Sequence, residues 1–320
     1  MRFFFLRTAS LIVAVAMLLL FAPGGVQTAP FDVKEPDACV ANFTVFSDVH
    51  VESNNYPRYE VFADSMRSAM QNQSGSDAFL FLGDSTMNGQ AIENMIFHGT
   101  LDRLLQGQRV IPVPGNHDFG NGQGDFNAIQ QRWYRFTQAY FDLELTTPYY
   151  YQVVNGFYFI VLANEQQDID AMHMSDDQYA WLERTLEEAA RSGLPVFVLA
   201  HYTPRMAAPI NPDSGYSLVR LLAEFNQAHD LFYLCGHLHH SPDAATFHAW
   251  SGFPETYLPA LTLLDESRNI NEETGFGELM EIYADRVVFR VRNFYRGEWA
   301  QLNGAPMEAV YMLKHPIPAA

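Results

Sequence analysis

The residues best suited to chemistry lie in the stretch Gly115-Asn116-His117-Asp118. They supply an amide oxygen, an imidazole and a carboxylate at consecutive positions, and such groups bind metal ions and transfer protons. Four further stretches carry similar side chains: Asp48-Val49-His50, Gly83-Asp84, His201 and Gly236-His237-Leu238-His239. One such motif arises easily by chance, whereas five in one chain predict a common site for metal ligation and proton transfer.

Each of these stretches directly follows a short apolar run that is typical of a buried strand. The five runs cover residues 43–46, 78–82, 110–113, 195–199 and 231–234. Open α/β sheets place their active sites at the C-terminal ends of their strands, so we expect five strands to deliver these side chains to one rim. Helices are predicted over 56–72, 90–105, 126–141, 176–191 and 216–229, and a hairpin around Asn155-Gly156.

The chain after the last motif is rich in strand patterns. We predict strands over residues 257–264, 277–283 and 287–291, and we expect them to form a second sheet and not a separate module. No Gly/Ser-rich linker, charged tract or internal repeat divides the chain. The sequence therefore predicts a single catalytic domain over residues 38–316.

The order Asp-x-His, Gly-Asp, Gly-Asn-His-Asp, His, Gly-His-x-His resembles the calcineurin-like metallophosphoesterase superfamily, from about residue 40 to residue 240. The resemblance implies an α/β fold, a four-layer α-β-β-α sandwich of two mixed sheets. It also implies a dinuclear centre of two divalent or trivalent ions, and the ligand types suit Mn, Fe or Zn. The implied activity is phosphoester hydrolysis, in which a hydroxide between the ions attacks phosphorus.

The resemblance also assigns roles to individual residues of this chain. Asp48, His50 and His239 would hold one metal ion, Asn116, His201 and His237 would hold the other, and Asp84 would bridge them. His117 would stabilise the transition state or protonate the leaving oxygen. Asp118 would orient the His117 ring, and the alternative for Asp118 is a loop hydrogen bond to the backbone.

Two positions bear on the branch of the superfamily. The purple acid phosphatases carry a metal-bound tyrosine three residues after the bridging aspartate, where this chain has Met87. His50 in the first motif resembles the cyclic-nucleotide phosphodiesterase-like branch, which favours phosphodiester substrates. The alternatives are a phosphomonoesterase or nucleotidase of the same fold, and a metal-binding protein without turnover.

The N-terminal 29 residues are typical of a signal peptide. Arg2 and Arg7 precede the apolar run of residues 9–22, which Pro23-Gly24-Gly25 ends. The run is short for a membrane-spanning helix, which needs ~20 apolar residues. We therefore expect a secreted or periplasmic protein without a stable membrane span after cleavage, the alternative being an anchor that is not cleaved.

The charge balance limits the class of substrate. Acidic residues outnumber basic ones by 37 to 19, and the formal charge of −18 would become −20 without Arg2 and Arg7. An acidic surface repels polyphosphate chains, which argues against long nucleic acids and for small phosphoesters.

The two cysteines are not expected to pair. Cys39 begins the first strand and Cys235 ends another, so their sulfurs should lie ~30 Å apart. A disulfide requires Cα atoms within ~7 Å.

Overall fold

The computed structural model describes residues 29–262, 271 and 273–318, so the predicted signal peptide up to residue 28 lies outside it. The α-helices of this part are α1 (Tyr56–Ala69), α2 (Ala91–Leu104), α3 (Phe126–Phe141), α4 (Asp176–Ala190) and α5 (Leu218–Ala228). Its strands are β1 (Cys39–Phe46), β2 (Ala78–Leu82), β3 (Val110–Val113), β4 (Tyr150–Val154), β5 (Phe157–Val161), β6 (Met172–Met174), β7 (Val196–Leu199), β8 (Ala207–Pro209), β9 (Leu231–Cys235), β10 (Phe247–His248), β11 (Glu255–Tyr257), β12 (Phe276–Tyr283), β13 (Arg286–Asn293), β14 (Glu298–Trp299), β15 (Gln301–Leu302), β16 (Ala305–Pro306) and β17 (Glu308–Met312).

Two mixed sheets contain most of the strands. The first has the order β14-β13-β12-β1-β2-β3, with β17 also paired to β13. In it β1, β2 and β3 run parallel, whereas β12 is antiparallel to β1. The second has the order β10-β11-β9-β7-β5-β4, and its strands β11, β9, β7 and β5 run parallel.

The apolar contacts arrange these elements in four layers. The two sheets face each other across one core cluster, in which the rings of Phe43 and Phe159 lie 4.7 Å apart. Helices α1 and α2 cover the outer face of the first sheet, where Phe97 packs against Phe81 at 5.3 Å. Helices α4 and α5 cover the outer face of the second sheet. The predicted α-β-β-α sandwich is therefore confirmed.

The strands after residue 255 differ from the prediction. Strands β12 and β13 exist, but they extend the first sheet, because β12 pairs with β1 from Cys39↔Tyr283 to Val45↔Glu278. The edge of β1 opposite β2 is buried, and buried backbone groups need a partner. The sequence pattern identified the strands but not this partner.

The predicted strand over residues 257–264 is also wrong in its described part. The strand β11 ends at Tyr257, and residues 258–262 are irregular, while residues 263 and 264 lie outside the described residues. Leu261 and Thr262 donate their backbone N–H groups to the carbonyls of Ser47 and Asp48. These two residues thus support the loop of the first motif instead of a neighbouring strand.

Three further predictions concern helices, cysteines and membranes. Helix α3 has its predicted bounds, and Ser175 caps α4 by accepting a hydrogen bond from the Gln178 N–H. Cys39 and Cys235 are free, as predicted. Of the helices in the described residues, none has the length and apolarity to cross a membrane.

Glu278 on β12 is a fully buried carboxyl group. Its Oε1 accepts a hydrogen bond of 2.6 Å from the Thr256 hydroxyl, and its Oε2 has no partner among the described residues. Burial raises the pKa of Glu278 to about 8, although the Thr256 hydrogen bond opposes that shift.

This carboxyl group should make stability depend on pH. Because the folded-state pKa exceeds the usual 4.5, the contribution of Glu278 is present at low pH and is lost as the pH rises through about 8. The side chain of Glu278→Gln cannot ionise. In thermal unfolding, the Tm of this variant should be similar to that of the wild type at about pH 5 and higher than that of the wild type by at least about 3 °C at about pH 9. Glu308→Gln, at an exposed ion pair with Lys34, is the control. An equal response of both variants at high pH would contradict this assignment.

Candidate metal centre

The loops after β1, β2 and β9 have an unusual backbone. Five of the predicted ligands have a left-handed conformation: Asp48 (φ 54°), His50 (φ 48°), Asp84 (φ 51°), His237 (φ 72°) and His239 (φ 49°). Such a backbone costs about 1–3 kcal/mol per residue and persists only where neighbouring groups fix it. Here the loops fix one another, because the N–H groups of Asp48 and His50 donate to the carbonyls of Gly83 and Asp84.

The first group of donor atoms comes from both sheets. Asp48, His50, Asp84 and His239 each offer one atom, and these atoms lie within 4.8 Å of one another. The Nε2 atom of His239 is 3.0 Å from Asp48 Oδ1 and 2.8 Å from His50 Nε2. Two imidazole nitrogens and a carboxylate oxygen that converge in this way are suited to a shared cation.

The second group lies beside the first. The Nδ1 atom of His237 is 3.1 Å from the amide oxygen of Asn116 and 3.3 Å from His201 Nε2. His201 Nε2 is in turn 3.1 Å from Asp84 Oδ2. The structure thus brings all seven predicted ligands together, in the two groups that the family resemblance implies.

Asp84 joins the two groups through one oxygen. Its Oδ2 lies 3.1 Å from His201 Nε2 of the second group and 3.9 Å from His50 Nε2 of the first. Its Oδ1 accepts a hydrogen bond of 2.9 Å from the backbone N–H of His117. The backbone thus fixes the carboxylate while one oxygen remains directed at both groups.

The chemistry of these atoms fits two cations. Asp48 Oδ1 and Asp84 Oδ2 are buried and accept no hydrogen bond of normal geometry from the described residues. Burial acts to raise the pKa of Asp48, but the contact and charge of His239 lower that pKa to about 2. Burial lowers the pKa of His50 to about 3 and of His237 to about 4, which leaves their nitrogens unprotonated near neutral pH. Burial opposes protonation of His201 and His239 as well, but Asp84 raises the pKa of His201 to about 9 and Asp48 raises the pKa of His239, so both rings would lose a proton on metal binding. Carboxylate oxygens beside imidazole nitrogens suit borderline metal ions.

Comparison with known proteins agrees with this geometry. The family model of the calcineurin-like phosphoesterases matches residues 41–241, which is more than half of the chain. The chain belongs to this family. It is therefore a metal-dependent phosphoester hydrolase with a dinuclear centre, and the family acts on small phosphoester substrates. No curated protein sequence matches it significantly.

Solved structures show a similar fold at low sequence identity. A dimetal phosphatase from Danio rerio has a TM-score of 0.56 and 16% identity, over 86% of this chain and 100% of that chain. The GAP50 protein of Plasmodium, described as an anchor in the inner membrane complex, has a TM-score of 0.49 and 12% identity, over 87% of this chain and 89% of that one.

His117 borders the ligands of this phosphoesterase without belonging to either group. Its Nε2 is 4.0 Å from Asp84 Oδ2, and its ring meets His50 edge-on at 4.7 Å. Its Nδ1 donates a hydrogen bond of 2.6 Å to the Met87 carbonyl. That bond fixes the ring and its tautomer, so Nε2 is the nitrogen that can exchange a proton within the site.

Asp118 does not orient His117, which corrects the predicted role. Its carboxylate accepts hydrogen bonds from the N–H groups of Ser85, Thr86 and Gly115 and from the Thr86 hydroxyl. The backbone alternative is therefore the one that the structure shows. These bonds join the loop after β2 to the loop after β3, so Asp118 supports the position of Asp84.

Two residues of the segment after His201 are not ligands but contact other side chains. Arg205 donates to the Ser251 hydroxyl and lies over the Trp250 ring. Tyr202, which sequence reasoning missed, packs its ring against His237 at 4.7 Å. The sequence did contain a signal that Tyr202 lies near the ligands, because it directly follows His201.

Close packing at Gly236 gives a test of the first metal position. A Cβ atom at Gly236 would lie 1.8 Å from Ser47 Oγ and 2.5 Å from Asp48 Oδ2. Gly236→Ala should therefore displace Asp48 and weaken Mn²⁺ binding, measured by calorimetric titration, by about tenfold or more. Gly252→Ala carries backbone strain but contacts only Ala223, so it is the control. Unchanged affinity in Gly236→Ala would show that this packing does not position Asp48.

Proposed function

We propose that this enzyme hydrolyses small phosphodiesters outside the cytoplasm and that His117 protonates the leaving oxygen. The observation that carries the proposal is the position of His117. Its Nε2 lies 4.0 Å from Oδ2 of Asp84, the oxygen directed at both groups, while its Nδ1 is held by a backbone carbonyl. As an imidazolium, a ring fixed in this way presents its Nε2 proton to a substrate between the two groups.

The proposed reaction balances as a hydrolysis. Metal ions held by the two groups of ligands would supply a nucleophile from water at neutral pH and offset negative charge on phosphorus. As the new P–O bond forms, the bond to the leaving group breaks and its electron pair remains on the leaving oxygen. The His117 imidazolium gives its Nε2 proton to that oxygen and becomes the neutral Nδ1–H tautomer, and the proton released from water restores the imidazolium.

Two sequence features favour diesters over monoesters. His50 lies within the first group of ligands, as in the cyclic-nucleotide phosphodiesterase-like branch that the motif resembles. The strong negative charge of the chain also disfavours a doubly charged monoester relative to a singly charged diester. The Danio rerio neighbour is a dimetal phosphatase, and this makes the monoester the alternative to test.

The deciding experiment compares the two ester classes on the purified protein. Bis(4-nitrophenyl) phosphate and 4-nitrophenyl phosphate are assayed with added Mn²⁺ or Zn²⁺. We expect a higher kcat/KM for the diester. A higher kcat/KM for the monoester would make the enzyme a phosphomonoesterase, and two bound ions without turnover of either ester would favour the non-catalytic alternative.

The proposed location rests on the N-terminal sequence. The basic residues and the apolar run of residues 9–22 are typical of an exported chain. Intact mass measurement of the protein from the periplasm or medium should show a chain that lacks about the first 29 residues. Recovery of the full-length chain from membranes would instead support an uncleaved anchor.

A further inference from the structure

Glu93 is a buried carboxyl group outside the metal ligands, and its contacts lead to His117. It lies in the first turn of α2 (Ala91–Leu104) and is 1% exposed. Its Oε2 accepts hydrogen bonds from the N–H groups of Asn88 (2.9 Å) and Gln90 (3.0 Å), and its Oε1 accepts one from the Asn88 side chain (3.1 Å). All three bonds fix the turn that follows Met87.

One peptide group connects Glu93 with His117. The Asn88 N–H, which donates to Glu93, and the Met87 carbonyl, which accepts from His117, belong to the same peptide unit. Because a peptide unit is planar, fixing the direction of its N–H also fixes the direction of its carbonyl. The two hydrogen bonds lie at opposite ends of that unit and polarise it in the same sense.

The surrounding contacts leave this peptide little freedom. On the preceding side, the Met87 N–H donates to the Val51 carbonyl at 2.9 Å. On the following side, the Arg132 guanidinium donates to the Gly89 carbonyl at 2.7 Å. A Cβ atom at Gly89 would lie 2.5 Å from the Asp118 carbonyl, so the turn packs directly on the loop that carries His117.

We propose that Glu93 is a positioning residue for His117 and acts through the Met87–Asn88 peptide. Glu93 then has the function that the family resemblance assigns to Asp118, with a peptide unit between the carboxylate and the imidazole. The inference rests on the proposed acid role of His117. A simpler role exists, because Glu93 also caps α2 through the Gln90 N–H, and the experiment must separate the two.

The dependence of rate on the leaving group separates positioning from capping. Nitrophenolate departs without a proton, whereas the more basic phenolate needs one, so diphenyl phosphate depends on an acid more than bis(4-nitrophenyl) phosphate does. In Glu93→Ala, kcat for diphenyl phosphate should fall about tenfold or more, with a several-fold smaller change for bis(4-nitrophenyl) phosphate. If the enzyme prefers monoesters, phenyl phosphate and 4-nitrophenyl phosphate serve as the same pair.

Two further variants complete the design. Glu93→Gln keeps the shape of the side chain and one acceptor oxygen, so it should show the same selective loss of kcat, but a smaller one. This variant tests the proposal even if Glu93→Ala folds poorly. Ser217→Ala removes the cap of α5, which accepts from the Arg220 N–H, and should change the rates of neither substrate. Within a His117→Ala background, Glu93→Ala should no longer change the ratio of the two rates.

The outcomes distinguish this inference from the proposed function. Equal loss on both substrates in both Glu93 variants would reduce Glu93 to a helix cap and overturn the inference. The inference is also overturned if Glu93→Ala still changes the ratio of the two rates within the His117→Ala background. If His117→Ala itself affects both substrates equally, the acid role of His117 fails and the role of Glu93 fails with it. A selective loss in His117→Ala without one in either Glu93 variant overturns only the role of Glu93.

Discussion

Asp84→Asn should abolish most of the hydrolytic activity. The substitution keeps Oδ1 as an acceptor for the His117 N–H but replaces the charge at Oδ2, where the two groups of ligands meet. Bound cations contribute several kcal/mol to the transition state, and each 1.36 kcal/mol is a factor of ten in rate. We therefore expect kcat/KM to fall by about a thousandfold or more, together with a loss of bound metal measured by mass spectrometry of the purified protein.

Asp230→Asn is the matched control for this loss. Asp230 is also buried and precedes β9 at the end remote from His237, where it accepts hydrogen bonds from the N–H groups of Lys314 and His315. Its substitution should change stability but not metal content. Near-normal activity in Asp84→Asn would exclude Asp84 as the bridge between the two groups.

His117→Ala should remove most of the rate while the protein keeps its metals. The Nε2 atom of His117 faces the ligands, but His117 is not one of the seven predicted ligands. General acid catalysis contributes about 10²–10⁴ in rate, so kcat should fall within that range. Steady-state kinetics test the fall in kcat, and metal analysis of the same preparation tests the retention of the metal ions.

The control for His117→Ala is a histidine far from the site. His315 is exposed, and its ring contacts the Ala228 carbonyl, so His315→Ala should keep full activity. If His117→Ala retains its rate, the acid must be sought elsewhere. If it loses metal together with rate, His117 contributes to ligation instead of proton transfer.

The ligands could be predicted from sequence because each lies within a few residues of the end of a mainly apolar, largely buried strand. Strand β2, for example, is buried throughout, and the polar Asp84 two residues after its end can only lie at its C-terminal rim. Such local patterns identify a strand and the polar residues that follow its C-terminal end. They do not identify its neighbours, which is why β12 and β13 were assigned to the wrong sheet.

The supporting contacts were harder to predict, since they depend on tertiary geometry. Nothing in the order Asn116-His117-Asp118 shows that the Asp118 carboxylate faces the backbone of Ser85 and Thr86. Glu93 did carry a signal. It lies three residues after Gln90 at a helix start, the spacing of a capping box, yet only the structure shows that the same carboxylate holds the next peptide unit.

The arrangement of the two sheets along the chain has a consequence for how the protein is made. A nascent chain that ends at residue 150 already contains Asp48, Asp84 and Asn116 but lacks every ligand of the second sheet, and β1 still lacks its neighbour β12. Contacts between residues so distant in sequence form late in folding. We therefore expect ion uptake to follow synthesis of nearly the whole chain, so that metal supply in the compartment where folding ends determines how much active enzyme the cell obtains.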